Sequence, residues 1–165
     1  MDKTNQNDEL DLTLSQIAWV VKDVEKSKVF FQEVLGIKHF DKTTTTRLQD
    51  YGGTYYGESV NAENLVTMTY AAGLFIELIQ PVSGKSIFQD YIDGHPTGGV
   101  QHIAYTTPID NFDKVIAAFE HRGISLVSSF DTSIAKIVFF DTRKEIGVFT
   151  EILGMTAKGA AMFKK

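Results

Sequence analysis

The chain has 165 residues, of which 43% are hydrophobic and 22% are charged, and its formal net charge is −5. This balance is typical of a globular protein, and the lack of a basic stretch argues against a partner with a phosphate backbone. There is no cysteine, which excludes disulfides, thiolate nucleophiles and sulfur-ligated zinc.

The first eleven residues are mostly polar and acidic, which predicts a flexible tail over 1–11 and not a secretory signal. No apolar run along the chain approaches the length of a membrane span. We therefore expect a cytoplasmic protein that binds neither nucleic acid nor a membrane.

The first predicted unit covers residues 12–93. Its helix begins after Asp23, a residue that favours the N-cap, and ends at Gly36. The apolar residues at helical spacing in it are Val24, Val29, Phe30, Val34 and Leu35. In chain order, the predicted elements are a strand at 14–21, this helix, a β-rich stretch at 37–46, an inserted loop at 49–64, a hairpin of strands 65–70 and 74–79, and a linker helix at 87–92.

The pattern then repeats over residues 94–155, before a predicted C-terminal tail at 156–165. Residues 16–19 (QIAW) correspond to residues 102–105 (HIAY), 86 positions later, and Asp110 opens a second helix 87 positions after Asp23. The second helix turns Val115, Ile116 and Phe119 inward, and the strand at 148–153 matches the one at 74–79. Each half is β-α-β-β-β, so the sequence predicts an α+β fold of two tandem modules.

Four polar side chains lie at equivalent places in strands of the two halves. Gln16 and His102 are on the opening strands, and Glu77 and Glu151 are on the closing strands. A carboxylate in an apolar strand is costly unless it is paired or bound to a cation. If the halves close around a pseudo-two-fold axis, the four converge in one site. Three oxygens and one imidazole nitrogen suit one divalent ion such as Zn²⁺, Ni²⁺, Co²⁺ or Mn²⁺; the alternative for each residue alone is an ordinary surface or core position.

Several segments resemble a known family. Residues 16–23 with 34–36 look like the opening of glyoxalase I, residues 99–104 (GVQHIA) like its second-half opening, and residues 75–81 (FIELIQP) like the closing strand of methylmalonyl-CoA epimerases. Over about 14–153, the chain is similar to the vicinal oxygen chelate superfamily, which includes glyoxalases, bleomycin resistance proteins and dioxygenases. The resemblance implies that the two βαβββ modules form a U-shaped mixed sheet around a metal cavity.

The resemblance also implies a chemistry. Members bind adjacent substrate oxygens and stabilise an enolate, so we expect an isomerase, epimerase or lyase that moves a proton at a carbon next to a carbonyl. In this comparison Glu151 is both a metal ligand and the proton carrier, and Glu63 is the nearest match to a second acid–base glutamate of the epimerases. The expected partners are an acyl-CoA or 2-oxo compound and, in a homodimer, a second copy of the chain.

The chain departs from glyoxalase I at two positions, and two other functional classes remain as alternatives. Glyoxalase I enzymes with Gln as first ligand hold glutathione through an arginine and an asparagine, where this chain has Val20 and Pro81. An extradiol-type dioxygenase would use two histidines and one carboxylate, and an antibiotic-type binding protein would lack the metal ligands.

Other residues receive a weaker interpretation. We expect Trp19 and Tyr105 to pack in the core, because they lie on the opposite strand face from residues three positions earlier. The other histidines are expected at the surface or in a loop: His39, His95 and His121. The tyrosine-containing loop at 49–64 is a candidate lid.

Overall fold

The computed structural model describes residues 10–162. The tail predicted at 1–11 lies mostly outside this range. The strands are β1 (Thr13–Val20), β2 (Thr44–Arg47), β3 (Thr54–Tyr55), β4 (Glu58–Ser59), β5 (Glu63–Ala71), β6 (Leu74–Ser83), β7 (Gly99–Pro108), β8 (Leu126–Asp131), β9 (Ala135–Phe140) and β10 (Phe149–Met155). The helices are α1 (Val24–Glu33), α2 (Ile87–Gly94), α3 (Phe112–His121), α4 (Arg143–Ile146) and α5 (Ala157–Met162).

All ten strands form one mixed sheet in the order β2-β5-β6-β1-β7-β10-β9-β8-β3-β4. At its centre β1 pairs with β7 antiparallel, and each is flanked by the parallel closing strand of its own half, β6 or β10. The order on one side of the β1–β7 pair therefore mirrors the order on the other. The predicted α+β fold of two βαβββ modules in a curled sheet is confirmed.

The two equivalent helices bury different amounts of apolar surface. Asp23 caps α1 by accepting a hydrogen bond from the backbone N–H of Lys26, as its position predicted. However, Val24 is the only buried residue of α1. The other apolar residues at helical spacing are all exposed: Val29, Phe30, Val34 and Leu35. In contrast, α3 buries Phe112 and Val115 against β9 and β10. No helix within residues 10–162 has the length and apolar character needed to cross a membrane.

The segment predicted as a loop at 49–64 is largely structured. It contains a 3₁₀ turn at Leu48–Tyr51 and the strands β3 and β4. Strand β3 pairs with β8, so an insertion in the first module extends the outer edge of the second. A small apolar cluster of Leu48, Val60 and Ala62 fixes it there. The loop prediction was wrong because this pairing is between residues about 75 positions apart in sequence.

Two further expectations differ from the structure. The β-rich stretch at 37–46 yields only the strand β2, and the tail predicted at 156–165 contains α5. The side chain of Thr156 accepts from the backbone N–H of Gly159 and so caps this last helix. The buried position of Gly159, close to the backbone of Ile134, ties α5 to the sheet.

Candidate metal centre

The four polar strand residues come from the four central strands. Gln16 lies on β1, Glu77 on β6, His102 on β7 and Glu151 on β10. The residue Ala18 of β1 pairs with both Glu77 and His102, which places those two side chains on either side of the central strand. All four side chains therefore converge within one chain.

Their functional atoms lie within hydrogen-bonding distance of one another. The Gln16 Nε2 donates to Glu77 Oε2 at 2.8 Å and to Glu151 Oε2 at 3.3 Å, and it lies 3.4 Å from His102 Nε2. The same imidazole nitrogen is 3.5 Å from Glu77 Oε2 and 3.3 Å from Glu151 Oε2. The amide nitrogen of Gln16 is thus the group around which the two carboxylates and the imidazole are arranged.

The donor set fits a divalent cation. As the side chains stand, no three His, Asp or Glu residues in the described part of the chain are arranged to hold a metal ion by themselves. The fourth donor is the Gln16 amide, whose two ends have the same shape. Its N–H end faces the carboxylates here, and its oxygen end offers a ligand on the same side chain. Three oxygens and one imidazole nitrogen then suit a borderline divalent ion.

Electrostatics favour a positive charge at this place. His102 and Glu151 are 1% and 5% exposed, and burial raises the pKa of the Glu151 carboxyl. Burial opposes the charged imidazole of His102, but hydrogen bonds to Glu151 and Glu77 outweigh it and raise the pKa of His102 to about 9. Burial thus favours the protonated form of Glu151, and the two carboxylates favour the protonated form of His102. A pocket that retains protons in this way also attracts a metal cation.

A fifth residue, Gln101, orients the imidazole. The pairing of β1 with β7 shifts register between Ala18 and Trp19, which leaves Gln101 as an extra residue in β7. Such a bulge redirects a side chain, and Gln101 Oε1 accepts a hydrogen bond from His102 Nδ1 at 2.6 Å. Gln101 Oε1 thus holds a proton on Nδ1, so that Nε2, once it loses its own proton to a bound cation, turns its lone pair to the other three donors. Strand alternation normally puts neighbouring residues on opposite faces, so no role for Gln101 was predicted from its place next to His102.

The four residues adjoin a cavity of about 330 Å³ inside the curl of the sheet. Gln16, Glu77 and Glu151 line it, and His102 is buried beside them. Most of the remaining wall is apolar. The apolar lining includes Leu48, Val66, Met68, Phe75, Ile79, Phe88, Phe130, Ile137, Phe139, Leu153 and Met155.

The structure does not bring Glu63 to this group. Its carboxylate accepts a hydrogen bond from Arg47 Nε at 2.7 Å, and Glu63 is not among the cavity residues. The expected acid–base role of Glu63 is therefore not supported by its position. Of the tyrosines in the predicted lid, Tyr51 lines the cavity, whereas the hydroxyl of Tyr55 donates to Asp90 at the start of α2.

The packing predictions for the aromatic residues beside the site are confirmed. Trp19 packs against the cluster under α1, and Tyr105 against the cluster under α3. Neither lines the cavity. His95 is exposed and stacks on Tyr91 away from the cavity, as expected of a loop residue.

Comparisons with known proteins agree with the fold described above. A family model described as the Glyoxalase/Bleomycin resistance protein/Dioxygenase superfamily matches residues 15–139. The structure of methylmalonyl-CoA epimerase from Mycobacterium tuberculosis has a TM-score of 0.62 to this one, at 18% identity over 90% of this chain and 91% of that chain. A variant of the Streptomyces coelicolor epimerase, in complex with 2-nitronate-propionyl-CoA, has a TM-score of 0.60, at 21% identity over 88% and 99% of the two chains.

A curated relative is similar over a shorter stretch. The 4-hydroxyphenylpyruvate dioxygenase of Xenopus tropicalis is 32% identical over 77 residues, which are 46% of this chain. The match spans only 19% of the length of that dioxygenase. At these identities the structural neighbours show the fold, and the short match covers only one part of a longer protein.

Proposed function

Because the chain belongs to the Glyoxalase/Bleomycin resistance protein/Dioxygenase superfamily, we propose that it is a divalent-metal-dependent isomerase, epimerase or lyase. It moves a proton at a carbon next to a carbonyl group of a small molecule. The observation that carries the proposal is the convergence of Gln16, Glu77, His102 and Glu151 beside one apolar cavity. The ion is Zn²⁺, Ni²⁺, Co²⁺ or Mn²⁺, and the substrate is an acyl-CoA or a 2-oxo compound.

Each of the four residues has a role in this proposal. When bound, the cation supplies Lewis-acid stabilisation of negative charge on the substrate's carbonyl oxygen. Gln16, Glu77 and His102 would hold it, and Gln101 keeps a proton of His102 on Nδ1. Glu151 would also hold it and would take the proton from the substrate carbon. Glu151 lines the cavity, so its carboxylate is placed to reach a substrate carbon there.

Two positions support a substrate other than a glutathione adduct. Val20, where the related glyoxalases hold glutathione with arginine, is fully buried in the core. Pro81 lies in β6 and has no side-chain donor or acceptor. The named substrates of the epimerase neighbours support an acyl-CoA as one candidate.

The dioxygenase alternative has one observation in its favour, the name of the curated relative. Against it, His102 is the only histidine at this site in the described part of the chain, and His39, His95 and His121 are not among the residues that line the cavity. A site with one imidazole and two carboxylates suits proton transfer better than the iron site expected of that class. Consumption of dioxygen by the iron-loaded protein would favour the dioxygenase.

The test combines metal analysis with hydrogen exchange. Purified protein should hold about one divalent ion per chain, and it should catalyse deuterium exchange at the α-carbon of some member of a panel of acyl-CoA and 2-oxo compounds. Glu151→Gln should slow this exchange by roughly 10²–10⁴-fold, the usual contribution of a general base. The matched control is Glu63→Gln, which lies outside the site and should leave exchange unchanged.

Two results would contradict the proposal. One is a protein that holds no metal and whose thermal stability ignores chelators. The other is a Glu151→Gln variant that exchanges as fast as the parent. If Glu63→Gln alone lost exchange, the base would be Glu63 and the arrangement around Arg47 would have to change during turnover.

A further inference from the structure

A second polar group lines the cavity at a distance from the four donors. The side chain of Asn64, on β5, is 2% exposed and belongs to the cavity wall. Its Oδ1 is fully buried and has no hydrogen-bond partner within residues 10–162. Buried side-chain oxygens are nearly always paired, so this one is an acceptor that the described part of the chain does not use. A ligand donor that enters the cavity can use it.

The position of Asn64 sets the length of such a ligand. Along β5 the side chains of residues 64, 66 and 68 alternate toward the cavity, and Met68 pairs with Glu77 across the strands. A strand rises about 3.3 Å per residue, so the four residues from Asn64 to Met68 place the Asn64 backbone about 13 Å along β5 from the Met68–Glu77 pair. Between the two levels the wall is formed by Val66 and Ile79, with Thr44 on the strand beside Val66. The wall is therefore mostly apolar between the polar metal centre and the polar end at Asn64.

The charges around the cavity limit what the ligand can carry. Among residues 10–162, the charged residues in its wall are the two carboxylates Glu77 and Glu151, and no lysine or arginine of that range is part of it. A divalent cation would balance these two charges and leave no positive charge for a phosphate or a second carboxylate. The part of a ligand that lies inside the cavity is thus most favourable when it is neutral. Of the two substrate classes proposed above, a 2-oxo compound meets this condition as a whole, and an acyl-CoA meets it only with its phosphates outside the cavity.

We propose that the cavity selects a neutral carbonyl compound with adjacent oxygens at one end, an apolar body, and a hydroxyl or amide at the far end that pairs with Asn64. The inference rests on the proposed function for the first of these features, because the adjacent oxygens are the part that faces the metal centre. The other two features rest on Asn64, Val66 and Ile79 alone.

The test uses two probes that differ by one group. One is a biphenyl methyl diketone, and the other is the same compound with a hydroxyl at the far end of the outer ring. Titration calorimetry on the Zn²⁺-loaded protein should show the hydroxylated probe binding about tenfold more tightly, the usual effect of one buried hydrogen bond to a group otherwise unpaired. In Asn64→Leu the two probes should bind equally. In Asn64→Asp, which keeps Oδ1, the preference for the hydroxyl should persist.

The matched control is Asn61→Leu, the same substitution at an exposed residue of the preceding segment. It should keep the preference of the parent protein. Thermal unfolding of Asn64→Leu should occur at or above the parent's temperature, since an unpaired buried amide is replaced by an apolar side chain of similar size. This result separates a loss of selectivity from a loss of folding.

Equal binding of the two probes by the parent protein would overturn the inference, and so would an unchanged preference in Asn64→Leu. It is also overturned if the metal-loaded protein binds neither probe. Failure of the proposed function has a different signature: the purified protein retains no metal and catalyses no deuterium exchange at the methyl group of the diketone, while titrations without added Zn²⁺ still show the hydroxyl preference and its dependence on Asn64.

Discussion

At the scale of single residues, the bulge at Gln101 determines how His102 faces the proposed metal centre. Gln101 Oε1 fixes the proton on Nδ1, so that Nε2 is available as a ligand. Partners of this kind typically contribute 10–100-fold to metal affinity. We expect Gln101→Leu to weaken Zn²⁺ binding by roughly that factor, as measured by competition with a chromophoric chelator. Gln101→Glu keeps an acceptor at the same place and should retain most of the affinity.

The pair of variants separates orientation from packing. Both substitutions occupy a fully buried position, so both should disturb the fold to some extent. If Gln101→Leu and Gln101→Glu lose metal affinity equally, Gln101 acts through packing and does not orient the imidazole.

Single residues also show what the sequence could predict. Gln16, Glu77, His102 and Glu151 were predicted as one group because each has a counterpart in the repeat, and the structure brings them together. The carboxylate of Glu63 pairs instead with Arg47 on the neighbouring strand β2. No local pattern reveals that partner. Gln101 and Asn64 were missed for related reasons, since a bulge and an unpaired amide become visible only when the strands are aligned.

At the scale of elements, Gly154 allows α3 to approach β10. A Cβ atom on Gly154 would lie 2.5 Å from the ring of Phe112, which is itself buried at the start of α3. Gly154→Ala should therefore destabilise the protein by about 1–3 kcal/mol, as overpacking in a core does, and urea unfolding measures it. Gly94→Ala is the control, because a Cβ there would meet no atom within 4 Å.

The cause of that destabilisation can be checked by a second change in the same contact. Phe112→Leu removes ring atoms next to Gly154, and the double variant should lose less stability than the sum of the two single variants. Strict additivity of the two losses would mean that the Gly154→Ala effect arises elsewhere in β10.

The elements were predictable to different degrees. For β1, β7 and α3, the predicted kind of element and its position in the chain agree with the structure. In these elements the helical or strand spacing of apolar residues occurs in both halves of the repeat. The spacing of α1 was misleading about burial, because Phe30 and Val34 follow the helical pattern but face solvent. The strand β3 could not be predicted, since a two-residue strand has no pattern of its own. It is recognised only by its pairing with β4 and β8.

At the scale of the whole molecule, the proposed metal centre joins the two modules. Gln16 and Glu77 belong to the first module, and His102 and Glu151 belong to the second. A ligand that binds only the folded state stabilises every part of the chain that must fold to form its binding site. A site made by both modules requires both modules to be folded. Metal should therefore raise the stability of the two halves together.

The size of the stabilisation by metal follows from the linkage between binding and folding. Zn²⁺ at a free concentration of 100 times its Kd should add about 2.7 kcal/mol, which for a chain of this length raises Tm by roughly 5–10 °C. Differential scanning calorimetry should show one transition that moves up with metal and returns with a chelator. Glu77→Gln should reduce the shift, whereas Glu145→Gln, at an exposed residue outside the site, should not. If the trace splits and metal moves only one of two transitions, the site lies within one module, and the pairing of Gln16 and Glu77 with His102 and Glu151 is not the metal centre.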